Sequence, residues 1–251
     1  MDSNKIKKIA FCIADDNNLK YAEMMEKSLR KFHSKEELPL LVVSGADLQK
    51  RLVNNPMFYY RATPIIASEL TSDNDVIIKI DADSIITGDI SDAWKEKSDV
   101  SVVLNSNPKE YLAYPYTIWD IAPFEYFNCG FVVMKNKRFV DYWKLLCFSS
   151  HFNNYQMREQ DLLNIMCHYG DYRIEILDAG DSLWGLSSKG YWQYIEVDNN
   201  KLVLNPIEGY PPVQKTIKVI HWGGGNTDPQ KMNYRIRFSE PVCKYLDKLI
   251  K

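Results

Sequence analysis

The fold of this chain is decided by the stretch Val76-Ile77-Ile78-Lys79-Ile80-Asp81-Ala82-Asp83. Four of its first five residues are apolar and β-branched, which predicts a buried strand. That strand runs directly into Asp81 and Asp83. In open α/β sheets, ligands bind beyond the carboxyl ends of the strands, where two carboxylates can converge on a divalent cation carrying a phosphate. The competing interpretation is an Asp-rich turn that only ends the strand.

Strand and helix patterns alternate on the N-terminal side of this stretch. Residues 9–14 predict a first buried strand, and residues 39–43 predict a second. Between them, an apolar stripe at spacings of three and four predicts a helix with Lys and Glu on its opposite face. This alternation implies a mainly parallel sheet flanked by helices, and 251 residues suffice for one large core. We therefore expect a single α/β domain over residues 1–251.

Further elements are expected along the rest of the chain. Helices are predicted at Tyr59–Leu70, Ser91–Trp94, Arg138–Phe148, Met157–His168 and about 236–251. Strands are predicted at Val100–Leu104, Phe127–Lys135, Arg173–Leu177, Leu202–Leu204 and Ile217–Ile220. Residues 105–127 show no clear period and are rich in aromatic side chains, which is more typical of a functional loop over a cleft than of a core element.

The composition argues against a nucleic-acid-binding protein and is compatible with a sugar-binding one. The formal charge is −2, from 31 basic and 33 acidic residues, so no global field would gather nucleic acid. The 16 tyrosines and 6 tryptophans are many for this length. They fit either a well-packed core or a sugar-binding cleft, where aromatic rings cover C–H faces and their polar tips supply hydrogen bonds.

The cysteine pattern indicates reduced thiols. The five cysteines are scattered without any C-x-x-C pair, which predicts reduced, mostly buried thiols and argues against a zinc site. The N-terminus has no apolar signal region, and no run of 18 apolar residues occurs. We expect a soluble, cytoplasmic protein. Lys244, Lys248 and Lys251 of the terminal helix could rest on an anionic membrane surface, although a solvated helix face is the commoner explanation.

Four other residues are candidates for binding, each with a structural alternative. Arg61 lies near a helix start, where a cation beside free N–H groups suits a phosphate but is also common as a solvated side chain. Gly130 permits unusual backbone geometry or close approach of a ligand, and it follows Asn128 at the start of a strand. His221 ends a strand before a glycine run and can ligate a metal, although a single histidine is usually structural.

With these residues in view, the chain resembles glycosyltransferase family 8, especially the bacterial galactosyl- and glucosyltransferases that build lipopolysaccharide, and more distantly glycogenin. The resemblance covers roughly residues 6–225 and rests on the order and spacing of short motifs. These motifs are Ala14-Asp15-Asp16-Asn17, Tyr60-Arg61, Asp81-Ala82-Asp83, Phe127-Asn128-Cys129-Gly130, Glu159-Gln160-Asp161-Leu162-Leu163-Asn164 and His221.

The resemblance implies a GT-A fold with a small antiparallel extension, and it implies roles for particular residues. Asp81, Asp83 and His221 would hold Mn²⁺, or Mg²⁺, bridging the two phosphates of a UDP-sugar. Gln160 would lie beneath the anomeric carbon of the transferred sugar. The remaining donor contacts implied by the resemblance are Asp15 and Asn17 to uracil and ribose, Arg61 to the diphosphate or sugar, Asn128 and the Glu159–Gln160 pair to sugar hydroxyls, and Ala82 and Gly224 beside the nucleotide.

The sequence departs from the family pattern at two places. Family members usually follow the histidine with Gly-x-x-Lys-Pro, whereas here the tract continues Trp222-Gly223-Gly224-Gly225 and reaches Pro229 without a lysine. Lys231 or the backbone N–H groups of the glycine run are candidates to replace that charge. The second departure is Glu159, where the family more often has Asp, so the donor sugar stays open between glucose, galactose and others.

The function implied is metal-dependent transfer of a hexose from a UDP-sugar to a hydroxyl of a glycan or glycoconjugate acceptor, with retention of configuration. A sugar-phosphate nucleotidyltransferase is one alternative. It would need a basic, glycine-rich loop after the first strand, whereas Asp15-Asp16-Asn17-Asn18 is acidic. A catalytically weak nucleotide-sugar or carbohydrate-binding module is the other.

Overall fold

A six-stranded sheet in the order β2-β1-β3-β6-β5-β7 forms the centre of the computed structural model. The described residues are 7–51, 58–72, 75–105, 121–122, 125–178, 180–184, 192–206, 213–222, 235 and 238–251. Gly224, Lys231 and most of the aromatic segment 105–127 lie outside them. The strands are β1 (Lys8–Ala14), β2 (Leu40–Ser44), β3 (Val76–Ile80), β4 (Ser84–Ile86), β5 (Val100–Leu104), β6 (Phe127–Met134), β7 (Ile174–Leu177), β8 (Leu183–Trp184), β9 (Ile195–Asp198), β10 (Lys201–Leu204), β11 (Lys215–Thr216) and β12 (Val219–His221).

Helices cover both faces of this sheet. They are α1 (Leu19–Leu29), α2 (Gly45–Arg51), α3 (Phe58–Leu70), α4 (Lys137–Cys147), α5 (Glu159–Tyr169) and α6 (Glu240–Ile250), with short 3₁₀ helices at Ser91–Trp94, Ser150–Asn154 and Trp192–Tyr194. Side chains alternate between two cores along each strand. Ile77 packs in the core formed with α3, α4 and α5, whereas Ile78 packs in the core on the side of α1 and α6. Burying each such isoleucine contributes about 1.5–3 kcal/mol.

The strand directions confirm a mainly parallel sheet with one reversed strand. β1 pairs in parallel with β2 and β3, and β5 with β7. β6 lies antiparallel between β3 and β5, with Ile80 opposite Phe131. Because β6 is reversed, its first residues lie at the edge where β3 ends. This brings the segment that starts at Phe127 beside the Asp81–Asp83 loop.

Two smaller sheets complete the described fold. β11-β10-β9 is antiparallel, which is the expected small antiparallel extension, and β4-β12-β8 is mixed. β12 pairs antiparallel with β4, so that His221 lies opposite Ser84. This pairing carries His221 to the residue directly after Asp83.

Most sequence-predicted elements agree with the structure within a few residues, and the disagreements involve short elements. The strand predicted at Ile217–Ile220 is observed as Val219–His221, because the amides of Ile217 and Lys218 donate to the carbonyls of Leu202 and Gly180, and pairing with β4 begins only at Val219. Among the described strands and α-helices, β4, β8, β9, β11 and α2 were not predicted from the sequence. β4 has three residues and depends on β12, more than 130 positions later, for its partner.

The thiol prediction is confirmed, since all five cysteines are free and four of them are buried. In the part of the chain that the structure describes, no helix combines the length and apolar character needed to cross a bilayer.

Candidate functional site

Asp81, Asp83 and His221 meet at the edge of the sheet where β3 ends. The Nε2 atom of His221 lies 3.0 Å from Oδ1 of Asp83 and 3.4 Å from Oδ2 of Asp81. One ligand atom from each residue falls within 4.8 Å of the other two. The side chains of Asp81 and Asp83 are 32% and 17% exposed, whereas His221 is 5% exposed. His221 is therefore the buried member of the group. The two carboxylates are its solvent-accessible members, and a ligand can reach them from solvent.

Backbone hydrogen bonds fix this arrangement. The amide of Asp81 donates to the carbonyl of Gly130 at 2.8 Å, which extends the β3–β6 ladder by one residue. The amide of Trp222 donates to the carbonyl of Asp83 at 3.2 Å, which extends the β4–β12 pairing in the same way. Each carboxylate is thus anchored to a different sheet, and the site forms where the two sheets meet.

Gly130 makes room for the His221 ring. A Cβ atom at this position would lie 2.3 Å from both Cε1 and Nδ1 of His221, and 2.7 Å from Oδ1 of Asn128. The backbone amide of Gly130 donates to that same Oδ1 at 2.6 Å. The group that approaches the Gly130 backbone is therefore the imidazole of His221, and the glycine is required by the geometry of the site.

The donor set suits a hard or borderline divalent cation. Carboxylate oxygens are preferred by Mg²⁺ and Mn²⁺, and neutral imidazole adds affinity for first-row metals. Bonds of about 2.1 Å to a shared ion hold ligand atoms within about 4.2 Å of one another. The distances from His221 Nε2 to the two carboxylates, 3.0 and 3.4 Å, meet this limit. The buried cysteines are not part of this group, so the donor set differs from the Cys- and His-rich sets of structural zinc sites.

Lys79 lies beneath Asp81 and is a site residue that sequence reasoning missed. Its ammonium group pairs with Oδ1 of Asp81 and donates to the carbonyl of Cys129 at 2.6 Å. The side chain is 4% exposed. Burial alone would lower the pKa of Lys79, but the Asp81 carboxylate outweighs burial and the pKa is raised, so the group stays charged. A lysine inside an otherwise apolar strand, two positions before Asp81, was the available signal.

Gln160 and Asn128 are held together at the start of α5 and β6. Oε1 of Gln160 accepts from the backbone amide of Cys129 at 3.0 Å and from Nδ2 of Asn128 at 3.3 Å. Asn164, one turn later on α5, donates to the carbonyl of Gln160 at 2.8 Å and bonds both backbone groups of Phe127. Two residues predicted to hold the sugar are therefore fixed in one buried network against β6.

Asp161 and Tyr126 support this network from behind. The Tyr126 hydroxyl donates to Oδ1 of Asp161 at 2.6 Å and accepts from Nε2 of Gln160 at 3.4 Å. Oδ2 of Asp161 accepts from the amide of Met157 at 2.8 Å. Burial and the Asp161 carboxylate raise the pKa of Tyr126, so its hydroxyl stays protonated and available as a donor. Tyr126 was missed because it lies within residues 105–127, the segment without a clear period.

Glu159 is the first residue of α5, and its carbonyl accepts from Nε1 of Trp143 at 2.9 Å. The pKa of Glu159 is raised to about 8, mainly by burial, with Asp81 and Asp161 adding to the rise and Lys79 opposing it. At neutral pH the carboxyl is mostly protonated. Its Oε2 is buried and has no hydrogen-bond partner among the described residues.

Arg61 lies on α3 and stacks on aromatic rings. Its guanidinium carbon is 4.5 Å from the centre of the Phe152 ring and 5.4 Å from that of Phe148. The guanidinium carbon of Arg158 lies 5.9 Å from the centre of the same Phe152 ring. Arg158 also adopts φ 54° and ψ −119° immediately before Glu159, a conformation that non-glycine residues rarely adopt. Strain is thus stored at the N-terminus of α5.

The other residues predicted to contact the nucleotide-sugar donor either lie at the same edge of the sheet or fall outside the described residues. Oδ1 of Asp15 accepts from the amide of Asn18 at 2.9 Å, which forms a turn at the end of β1, and Asn17 is exposed in that turn. Ala82 is buried between the two aspartates. Gly224 lies outside the described residues.

No family model and no curated protein sequence matches this chain. Solved structures share its fold. The galactosyltransferase LgtC, in complex with donor and acceptor sugar analogues, is 14% identical with a TM-score of 0.59, over 97% of this chain and 96% of that one. An active-site mutant of LgtC, with a glutamine changed to glutamate, gives a TM-score of 0.60 at 14% identity, over 96% and 94% of the two chains.

Two longer proteins are also similar. The glycosyltransferase GlyE of Streptococcus pneumoniae TIGR4 is 13% identical with a TM-score of 0.56, over 97% of this chain and 63% of that one. The bifunctional glycosyltransferase WbbM is 13% identical with a TM-score of 0.59, over 98% of this chain and 51% of that one. This chain thus spans about half to two thirds of their length. At such identities the likeness defines the fold, which is the α/β fold of GT-A glycosyltransferases.

Proposed function

We propose that this protein is a metal-dependent glycosyltransferase that moves a hexose from a UDP-sugar to a hydroxyl of a glycan or glycoconjugate. The observation that carries the proposal is the convergence of Asp81, Asp83 and His221 at the carboxyl edge of the sheet in a GT-A fold. A fold alone does not define an activity, but a cation site at this edge is where a nucleotide diphosphate would bind.

The site residues divide into two groups with separate tasks. Asp81, Asp83 and His221 would hold Mn²⁺ or Mg²⁺, which supplies a Lewis acid to the leaving diphosphate when bound. Asn128 and Gln160 would orient the transferred sugar. The Gln160 carboxamide oxygen is occupied by Cys129 and Asn128, so its plane is fixed before any sugar arrives. Such preorganised dipoles are worth several kcal/mol where charge develops in a transition state.

We also propose retention of configuration by attack on the same face that the diphosphate leaves. A double displacement would need a carboxylate nucleophile, and the two acids on α5 are poorly suited to that role. Both oxygens of Asp161 accept hydrogen bonds from Tyr126 and Met157. The raised pKa of Glu159 keeps it mostly protonated at neutral pH. The active-site glutamine of LgtC supports a similar position for Gln160.

Uracil and ribose would contact the turn that contains Asp15 and Asn17, and Arg61 would serve the diphosphate or sugar. Glu159, as a protonated acid with a free Oε2, would donate a hydrogen bond to a sugar hydroxyl. Glucose and galactose differ in one hydroxyl orientation, so this donor is a determinant of which hexose is accepted. A sugar hydroxyl as acceptor is supported by LgtC, which shares this fold and whose structure is a complex with donor and acceptor sugar analogues.

A donor screen tests this proposal. The protein with Mn²⁺ is incubated with UDP-, GDP- and dTDP-sugars, and released nucleotide diphosphate is measured. We expect UDP release with UDP-glucose or UDP-galactose, and preference for a GDP- or dTDP-sugar would contradict the uracil assignment. UDP and Mn²⁺ binding by calorimetry without release from any donor would instead indicate a nucleotide-sugar-binding module.

Asp83→Ala should abolish Mn²⁺-dependent UDP release, because it removes one of the two carboxylates of the metal site. Loss of a metal ligand in comparable sites costs several kcal/mol of transition-state stabilisation, or about a thousandfold in rate. Asp141→Ala is the matched control, since Asp141 pairs with Lys137 on the exposed face of α4. Unchanged turnover in Asp83→Ala would rule out this site.

A further inference from the structure

We propose that Lys79 selects the cation by restricting Asp81 to a single ligand oxygen. The proposal rests on the metal site of the proposed function and adds a specificity-determining residue to it. Lys79 pairs with Oδ1 of Asp81 and also donates to the carbonyl of Cys129 at 2.6 Å. With two anchors and 4% exposure, the ammonium group has no alternative position at the surface.

The two oxygens of Asp81 face different partners. Oδ1 points down to Lys79, whereas Oδ2 lies 3.4 Å from Nε2 of His221, on the side where a cation would be shared. Only Oδ2 is therefore open to an ion. As long as Lys79 holds Oδ1, Asp81 binds as a monodentate ligand.

Monodentate carboxylates favour small cations. Mg²⁺ requires near-octahedral geometry with short bonds, and Mn²⁺ shares the octahedral preference. Ca²⁺ takes six to eight oxygens at about 2.3–2.6 Å and often uses carboxylates in bidentate fashion. By removing one oxygen from the set, Lys79 disfavours Ca²⁺ more than Mn²⁺.

The ratio of the Ca²⁺ affinity to the Mn²⁺ affinity separates the denticity of Asp81 from the electrostatic effect of the Lys79 charge. Removing the charge of Lys79 changes the field felt by any divalent cation, but Mn²⁺ and Ca²⁺ carry the same charge, so this contribution largely cancels in their ratio. A change of denticity at Asp81 does not cancel. A merely structural role for Lys79 would likewise leave the ratio unchanged.

The experiment is isothermal titration calorimetry of Mn²⁺ and Ca²⁺ into chelator-treated protein, without nucleotide. We expect Lys79→Met to lower the ratio of the Ca²⁺ to the Mn²⁺ dissociation constant about tenfold, which corresponds to about 1.4 kcal/mol. Lys137→Met is the control, because it removes the same charge from an exposed pair on α4 and should leave the ratio unchanged. An unchanged ratio in folded Lys79→Met overturns the proposal.

A second measurement needs no variant and covers the case in which Lys79→Met does not fold. In the unaltered protein, Ca²⁺ should displace bound Mn²⁺ only at a concentration at least tenfold higher than Mg²⁺ does, because both competitors are hard cations and differ mainly in size and in the use of bidentate carboxylates. Competition by Ca²⁺ as effective as that by Mg²⁺ overturns the proposal. If the unaltered protein binds no Mn²⁺ at all, the metal site of the proposed function fails. If it binds Mn²⁺ with an unchanged ratio in the variant, only the role of Lys79 fails.

Discussion

Gly130 has no room for a side chain, and this constraint gives the sharpest test of the site at the scale of single residues. A Cβ would lie 2.3 Å from the His221 ring, so Gly130→Ala must move either the ring or β6. Since β6 is paired on both sides, we expect the ring to move. Mn²⁺ affinity, measured by calorimetry, should fall more than about tenfold, or ~1.4 kcal/mol.

Gly88→Ala is the matched control for that change. Its added Cβ would lie 3.3 Å from the flexible side chain of Lys218, which can shift by a few tenths of an ångström. This variant should bind Mn²⁺ like the unaltered protein. If Gly130→Ala also did so, His221 would not be a ligand in the position observed.

The residues of this site differ in how far the sequence could predict them. Asp81 and Asp83 were predictable because the strand pattern of Val76–Ile80 is local and places them at its end. The contact of His221 with Gly130 was not, because it depends on the register between strands that are distant in sequence, which no local pattern encodes. The pairing of Lys79 with Asp81 is local, two positions apart on one strand, but the strand pattern alone does not show that the lysine is buried beneath the carboxylate.

At the scale of elements, the N-terminus of α5 carries strain that can be measured. Arg158 has φ 54° and ψ −119°, a region that costs non-glycine residues about 1–3 kcal/mol. Replacement by glycine relieves the strain, whereas replacement by alanine does not, and both lose the same side-chain contacts. We therefore expect Arg158→Gly to be about 1 kcal/mol more stable than Arg158→Ala in denaturant unfolding.

The opposite order is expected at an ordinary helical position. Glu23 is exposed in the middle of α1, where glycine should be about 0.5–1 kcal/mol less stable than alanine. Arg158→Gly less stable than Arg158→Ala would mean that the backbone conformation at the start of α5 is not strained. Because Glu159 and Gln160 follow directly, relief of this strain should also be visible as a change in turnover.

Elements were predictable where their pattern was long and locally periodic. α4 and α5 were expected within two residues of their observed starts because their apolar stripes and first-turn residues are local signals. The reversal of β6 within a parallel sheet had no such signal. It is nevertheless the feature that brings Asn128 and Gly130 to the edge where β3 ends.

At the scale of the whole molecule, the metal site exists only when the chain is folded. Asp81 and His221 are 140 positions apart (221 − 81) and belong to different sheets, so an unfolded chain cannot present the ligands together. An ion that binds only the folded state adds RT ln(1 + [L]/Kd) to the free energy of unfolding, about 2.7 kcal/mol at 100 times the dissociation constant. For a chain of this size, that corresponds to a rise in Tm of roughly 5–10 °C.

Thermal unfolding with Mn²⁺ and then with excess EDTA measures this coupling. The unaltered protein should lose the Mn²⁺-dependent rise in Tm when the ion is chelated. His221→Ala should show no rise, since it removes the ligand that joins the small mixed sheet to the Asp81–Asp83 loop. The same rise in His221→Ala would place the stabilising ion elsewhere on the protein. A rise in Tm that occurs in the unaltered protein and not in His221→Ala would show that one cation stabilises the contact between the central sheet and the small mixed sheet.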